Sequence, residues 1–259
     1  MLFENEGFML SIVIPCYNEE RNLEIGVIDN VYAYLKEQQY SWEVIIVNDG
    51  SSDNSRQLVC ELIKDKENFH LLDIPHGGKP IAVWAGIREA KGEFILVTDM
   101  DQSAPIFEVS KLLPWYQEGF DAVIGSRGIY RHGSPPLRKI GSFVFRNFRR
   151  FLILGNIVDT QCGFKSFKRS LALEVFPKLQ ILKQINQPTG WKVTAFDVEL
   201  LYIIVSSGYK IKEVSVEWEN QDQSTTKHQT KFNQYFKESI EMVLEIAKVR
   251  INQFLGLYR

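Results

Sequence analysis

The chain has 259 residues, of which 45% are hydrophobic, so it can bury a core as one large domain or as a domain with an appended smaller lobe. Its 30 basic and 32 acidic residues give a net charge of −2, which argues against a nucleic-acid partner. Three cysteines, an odd number without metal-type spacing, indicate a reducing compartment and exclude a disulfide framework.

Apolar runs alternate with helical patterns along the first half of the chain. The predicted strands are residues 10–15, 42–47, 69–74, 94–98 and 122–125, and the predicted helices are 23–38, 55–66, 81–90 and 106–118. This alternation predicts right-handed βαβ crossovers and a mostly parallel sheet. Asp53, in the sequence S-S-D-N-S, is expected to cap the second helix.

Beyond Ser126 the alternation stops, and residues 127–139 are predicted to form a mobile loop. Residues 141–158 mix Phe with Arg, which suits an interfacial helix on a membrane, although packing on the protein's own sheet explains the apolar residues equally well. We expect one domain over residues 1–218, followed by a loop and an amphipathic helix over 219–259.

No membrane span or secretory signal is predicted. The first nine residues contain Glu4 and Glu6, and no apolar run approaches the ~20 residues that a spanning helix needs. The expected location is therefore cytoplasmic.

Polar turns follow three of the predicted strands. They read P-C-Y-N-E-E at residues 15–20, N-D-G-S-S-D at 48–53 and T-D-M-D at 98–101. In an open α/β sheet the carboxyl ends of the strands border one crevice, so these turns are expected to converge. Asp99 and Asp101 could be ordinary loop or cap residues, but beside the other turns they suit Mg²⁺ or Mn²⁺ carrying phosphates. A nucleotide-diphosphate substrate is the resulting hypothesis.

With P-C-Y-N-E, V-N-D-G-S-S-D, T-D-M-D and G-S-R in this order, the chain resembles the family 2 glycosyltransferases. The resemblance implies the GT-A fold, a Rossmann-like, mostly parallel sheet flanked by helices. The strings D-T-Q-C-G-F-K at 159–165 and A-F-D-V-E-L-L at 195–201 are similar to the dolichyl-phosphate glucosyltransferase branch. The dolichyl-phosphate mannose synthases are more distantly similar.

The resemblance also implies residue roles. The implied nucleotide site comprises Pro15, Tyr17, Glu19, Asp49, Lys79, Asp99 and Met100. Asp99 and Asp101 would hold the divalent ion, and Asp49 would hydrogen-bond the base. Independently of the family, Glu19 suits the first turn of a helix and Asp49 suits a turn, so these interpretations stay open.

Three basic residues are implied to contact phosphates, namely Arg127 in G-S-R, Arg138 and Lys227. Arg127 and Arg138 are also candidate catalytic residues, together with Asp197 in F-D-V-E. Asp197 would be the general base for a hydroxyl acceptor, whereas an ionised lipid phosphate needs no base. Each cation could instead be a solvated surface residue, and Asp197 could simply lie near a helix N-cap.

The chain departs from the family in two places. The pattern K-G-G-A-x-R reads K-P-I-A-V-W at residues 79–84, which loses two glycines and an arginine. The N-terminal anchor of the eukaryotic members is also missing, so a bacterial-type soluble or peripheral relative is expected.

The leading hypothesis is an inverting transferase that moves glucose from UDP-glucose onto a polyprenyl phosphate at the cytoplasmic face of a membrane. Three alternatives stay open: a mannose synthase using GDP-mannose, a polysaccharide glycosyltransferase with a sugar-hydroxyl acceptor, and an inactive nucleotide-sugar-binding module. The acidic pair disfavours the inactive module, and the Phe and Arg segment favours a lipid acceptor.

Overall fold

A seven-stranded sheet organises the protein in this computed structural model, which describes residues 7–127, 157–183, 196–221 and 247–258. The strands are β1 (Met9–Cys16), β2 (Ser41–Asp49), β3 (Phe69–Ile74), β4 (Phe94–Val97), β5 (Ala122–Ser126), β6 (Lys165–Lys168) and β7 (Ile211–Ser215). Their order across the sheet is β3-β2-β1-β4-β6-β5-β7. Only β6 runs antiparallel to its two neighbours, which confirms the predicted mostly parallel sheet.

Helices flank this sheet. They are α1 (Glu20–Glu24), α2 (Val27–Leu35), α3 (Ser55–Ile63), α4 (Lys79–Glu89), α5 (Val109–Leu112), α6 (Arg169–Val175), α7 (Gln180–Lys183) and α8 (Phe196–Ser206). Short 3₁₀ turns occupy Ile106–Glu108, Leu113–Tyr116 and Phe176–Lys178, and residues 247–254 form a last helix, α9.

Two predicted helices are interrupted. The predicted helix at 23–38 is two helices, because Gly26 adopts φ 86°, a left-handed conformation that ends the regular backbone. The predicted helix at 106–118 is three short pieces, and Pro114 opens the last of them. Proline has no N–H to donate, so it cannot continue the helix before it.

The predicted cap of α3 lies one residue away from its expected position. Asn54 occupies the cap position, without a side-chain cap hydrogen bond. Asp53 still accepts from the backbone N–H of Ser55 at 3.0 Å, and so satisfies a donor at the start of the helix.

Apolar side chains cover both faces of the sheet. Along β1, Leu10, Ile12 and Ile14 pack into one buried cluster and Val13 packs into the other. This two-sided burial follows from the alternation of side chains along a strand and is typical of a parallel sheet covered by helices. The rigid strands therefore hold the turns at their carboxyl ends in fixed positions.

Several predictions fall on residues outside the described ranges. They are the loop at 127–139 beyond its first residue, the interfacial helix at 141–158 up to residue 156, and residues 222–246. Within the described residues, no helix is both long enough and apolar enough to cross a bilayer.

Candidate active site

The turn after β4 presents the acidic pair. Gln102, with φ 48°, closes the turn by donating from its backbone N–H to the carbonyl of Asp99 at 3.2 Å. Asp101 Oδ1 accepts from the backbone N–H of Ser103 at 2.9 Å. The side chain of Asp99 is 39% exposed, whereas Met100 is 2% exposed and packs in the core. A contact of Met100 with a nucleotide stays a prediction.

Asp49 lies at the end of β2 and holds the loop that follows β3. Its Oδ1 accepts from the backbone N–H of Gly77 at 2.7 Å, and its Oδ2 accepts from that of Gly78 at 2.9 Å. Burial raises the pKa of Asp49, although these two N–H groups act in the opposite direction. The structure therefore gives Asp49 a role in shaping the loop, and its contact with a base stays a prediction.

Lys79 follows this loop directly and is the first residue of α4. Its ammonium donates to Asp99 Oδ1, and its side chain is 12% exposed. Burial alone would lower the pKa of Lys79, but the charges of Asp99, Asp197 and Asp101 hold it above its ordinary value. Pro80 fits the first turn of α4, where its missing N–H would have no helical acceptor. The family places glycines after this lysine, whereas Gly77 and Gly78 precede it here.

The turn after β1 carries an aromatic pair. The rings of Tyr17 and His76 stack with their centroids 4.2 Å apart and their planes inclined by 23°. His76 Nδ1 lies 3.0 Å from the carbonyl oxygen of Asp49, and Pro15 is buried at the end of β1. His76 could not be predicted from the sequence, because a lone histidine in a loop carries no recognisable pattern.

Glu19 lies immediately before α1. Its backbone N–H donates to Ser55 Oγ at 2.7 Å, and its Oε2 accepts from Asn22 Nδ2 at 2.5 Å. Glu19 therefore occupies the N-cap position, one residue before the first turn in which the helix interpretation placed it. Its contact with the nucleotide stays a prediction.

Arg127 forms a two-pronged ion pair with Asp159. Arg127 Nε lies 2.7 Å from Asp159 Oδ2, and its Nη2 lies 2.7 Å from Oδ1. Burial would raise the pKa of Asp159, but the guanidinium more than offsets that and holds it at about 2. Arg127 also stacks over the ring of Trp218. In this structure it is a partner of the 159–165 segment, and its contact with a phosphate stays a prediction.

Gly163, in the same segment, lies against the acidic pair. A Cβ atom at this position would lie 2.1 Å from Asp99 Oδ2. Such a separation is far inside ordinary contact, so only glycine lets the Asp99 carboxylate occupy its position.

Lys165 contacts the third predicted catalytic residue. Its ammonium lies 2.6 Å from Asp197 Oδ1 and also donates to the carbonyl of Cys162. Asp197 lies in the first turn of α8, where the helix dipole favours a carboxylate. Lys165 is 4% exposed, so the pair is shielded from water.

The D-T-Q-C-G-F-K segment therefore supports the site through three residues, because Asp159, Gly163 and Lys165 each touch a different predicted catalytic or metal residue. These supporting contacts could not be predicted from the sequence, because the string by itself indicates only the family. Two other predicted phosphate contacts, Arg138 and Lys227, lie outside the described residues.

The carboxylates of Asp99 and Asp101 suit a divalent ion that is bound together with substrate phosphates. Among the described residues, no group of three or more His, Cys, Asp or Glu side chains could hold a metal. Mg²⁺ is usually bound by one or two carboxylates together with substrate phosphates, and Asp99 and Asp101 supply two carboxylates at one turn.

Proteins similar in sequence match most or all of the chain. A dolichyl-phosphate beta-glucosyltransferase of Trichomonas vaginalis is 30% identical over an alignment of 272 residues. The alignment covers 100% of this chain and 78% of that protein. A protein of the same name from Saccharomyces cerevisiae is 28% identical over an alignment of 279 residues, which covers 99% of this chain and 78% of that protein. The mouse protein of that name is 34% identical over an alignment of 237 residues, which covers 84% of this chain and 69% of that protein.

Solved structures share the fold. Glucosyl-3-phosphoglycerate synthase of Mycobacterium tuberculosis, in complex with phosphoglyceric acid, has a TM-score of 0.65 at 17% identity, covering 94% of this chain and 80% of its own. A mannosyltransferase of Pyrobaculum calidifontis with GDP-Man and Mn²⁺ has a TM-score of 0.62 at 19% identity, covering 96% and 66%. The family model for glycosyl transferase family 2 matches residues 11–176, and the chain therefore belongs to this family of glycosyltransferases.

Proposed function

We propose that the protein transfers glucose from UDP-glucose to a polyprenyl phosphate with inversion at the anomeric carbon. The observation that carries the proposal is the similarity to dolichyl-phosphate beta-glucosyltransferases over the full chain. The arrangement of Asp99, Asp101 and Lys79 supports it, since two carboxylates and a cation at one turn suit a nucleotide diphosphate and its metal ion.

The proposed cofactor is Mg²⁺ or Mn²⁺, held by Asp99 and Asp101. When bound, such an ion neutralises the charge that develops on the departing nucleoside diphosphate. We expect Asp101→Ala to abolish transfer and to keep the fold. Asp101→Asn is the matched control for stability, because its amide oxygen can still accept from Ser103. Full activity of the wild type in excess chelator would refute the metal role.

The proposed acceptor is a phosphate, because a phosphate monoester with a second pKa of ~6 is already largely dianionic at neutral pH. Such a nucleophile needs positioning and no base. The pairing of Asp197 with Lys165 suits a positioning role for this aspartate. Asp197→Asn should therefore retain measurable turnover, and Arg138→Ala should reduce transfer to the lipid more than it reduces binding of UDP.

Peripheral contact with a membrane is part of the proposal, since the acceptor is lipid-borne. Val249 and Tyr258 anchor the C-terminal segment in the core, and Tyr258 donates to Glu199 Oε1 at 2.8 Å. This anchoring leaves one apolar side exposed. It comprises Ile251 (57% exposed), Phe254 (94%), Leu255 (62%) and Leu257 (41%). We expect this side to enter the interface of the cytoplasmic leaflet, together with the segment 141–158.

Membrane contact is tested by co-sedimentation with anionic liposomes at low salt. Replacing Phe254 and Leu255 together by Ser should lower binding about a hundredfold or more, because each buried apolar side chain contributes roughly 1.5–3 kcal/mol. Phe107→Ser is the matched control, since Phe107 is 44% exposed on a different part of the surface. Equal loss in both variants, or no binding by the wild type, would contradict the proposal.

The transfer itself is tested with a panel of nucleotide sugars and two acceptor classes, a polyprenyl phosphate and an oligosaccharide, scoring product and released nucleotide. UDP-glucose with polyprenyl phosphate should give the highest turnover. Faster transfer from GDP-mannose, with GDP bound more tightly than UDP, would assign a mannose synthase. Efficient transfer to the oligosaccharide, with loss of activity in Asp197→Asn, would assign a hydroxyl acceptor and a general base.

A further inference from the structure

Lys79 is surrounded by the carboxylates of the candidate site. Its ammonium donates to Asp99 Oδ1, and the negative charges of Asp197 and Asp101 also act on it. Its side chain is 12% exposed, while that of Asp99 is 39% exposed. Asp99 therefore contacts a shielded internal cation through one oxygen, while part of its own side chain faces solvent.

The backbone of Lys79 is held in place by Asp49. Asp49 accepts hydrogen bonds from the backbone N–H groups of Gly77 and Gly78, the residues immediately before Lys79. Gly78 adopts φ 90°, a conformation that favours glycine, and α4 begins at the next residue. The ammonium can therefore change its partner only by rotation of the lysine side chain, which is long and flexible.

A divalent ion and an ammonium cannot share one carboxylate oxygen at full strength. The divalent ion and the ammonium would both interact with the lone pairs of Asp99 Oδ1, and the two cations repel each other at close range. A metal ion bound to Asp99 must therefore displace the ammonium of Lys79 or bind more weakly because of it. A displaced ammonium needs a new anion, and the nearest one that the substrate brings is the diphosphate.

We propose that Lys79 and the divalent ion compete for Asp99, and that the displaced ammonium moves to the diphosphate of the donor. The inference rests on the proposed function in taking a nucleoside diphosphate as donor and Asp99 as a ligand of the divalent ion. It makes metal and nucleotide binding cooperative, because the nucleotide accepts the cation that the metal removes. By linkage, each of the two ligands strengthens the other by the same factor.

The test measures binding of Mn²⁺ to the full chain without nucleotide, by electron paramagnetic resonance of the free ion. Calorimetry then measures binding of UDP at saturating Mn²⁺. Lys79→Met should bind Mn²⁺ alone about tenfold tighter and UDP at least tenfold more weakly, the size of one charge-assisted hydrogen bond in each case. Lys168→Met is the matched control, since Lys168 pairs with Asp121 at 2.9 Å in another part of the sheet, and it should change neither affinity.

Two further variants keep the test decisive. Lys79→Arg keeps the charge and should not bind Mn²⁺ more tightly than the wild type. Lys79→Gln removes the charge but can still donate to Asp99, and it replaces the Met variant if that protein does not fold. Unchanged or weaker Mn²⁺ binding in the neutral variants, or no Mn²⁺ binding to any of the proteins, overturns the proposal. The Mn²⁺ measurement contains no nucleotide, sugar or lipid, so its failure is distinguishable from failure of the proposed transfer reaction.

Discussion

Replacing Gly163 with alanine tests how the 159–165 segment supports the acidic pair. The new Cβ would lie 2.1 Å from Asp99 Oδ2 and 2.7 Å from its Cγ, whereas ordinary contact begins at 3.4 Å. The Asp99 carboxylate would therefore have to move by more than about 1 Å, away from its partner Lys79. A displacement of this size in a substrate-positioning group costs about 10²-fold in rate.

The same substitution should also lower the free energy of unfolding by about 1–3 kcal/mol, because the displaced carboxylate weakens its contact with the shielded ammonium of Lys79. The free energy of unfolding is measured by urea denaturation, and kcat/KM is measured with UDP-glucose and polyprenyl phosphate. Gly7→Ala is the matched control, since a Cβ at residue 7 would meet nothing within 4 Å. This control should change neither quantity.

A double-mutant cycle identifies the atoms responsible. In an Asp99→Ala background the clashing carboxylate is gone, so Gly163→Ala should then cost close to nothing in unfolding free energy. An equal cost in both backgrounds would show that the substitution acts elsewhere. Wild-type activity in Gly163→Ala would refute the argument that this glycine positions Asp99.

Two further predictions concern the partners of site residues. Asp49→Asn replaces one of the two oxygens that accept from Gly77 and Gly78 by an amide donor, and should lower the unfolding free energy by about 1–3 kcal/mol in urea denaturation. Affinity for UDP should fall with it, and an unchanged stability would contradict the loop-holding role. The pKa of Asp159 is about 2 in the folded protein against an ordinary 3.8, so its ionisation contributes about 2 kcal/mol of stability above pH 4. That contribution is lost as pH falls through 2, with about half remaining at pH 3. The difference in unfolding free energy between the wild type and Arg127→Met should narrow as pH falls from about 4 to about 2. A difference that stays constant over this range would refute the role of Arg127 in lowering the pKa of Asp159.

Local sequence patterns predicted five of the seven strands and missed β6 and β7. Strand β3 begins and ends at the predicted residues, 69 and 74, because Asn68, with φ 63°, precedes it and Pro75 follows it. The turns that carry Tyr17, Asp49 and Asp99 follow parallel strands, and parallel strands bring their carboxyl ends to one edge. Helix breaks were harder to predict, since Gly26 interrupts a pattern that is otherwise periodic.

The partners of the site residues were decided only by the tertiary structure. The antiparallel strand β6 lies between β4 and β5 and pairs Lys165 with Val97 on one side and with Ile124 on the other. That placement brings Gly163 against Asp99, although the two are far apart in the chain. Periodicity reports which face of a strand is buried, and it carries no information about which distant strand lies beside it. The composition, the polar turns and the family were therefore accessible from the sequence, whereas the ion pairs that arrange Arg127, Lys79 and Asp197 depend on long-range packing.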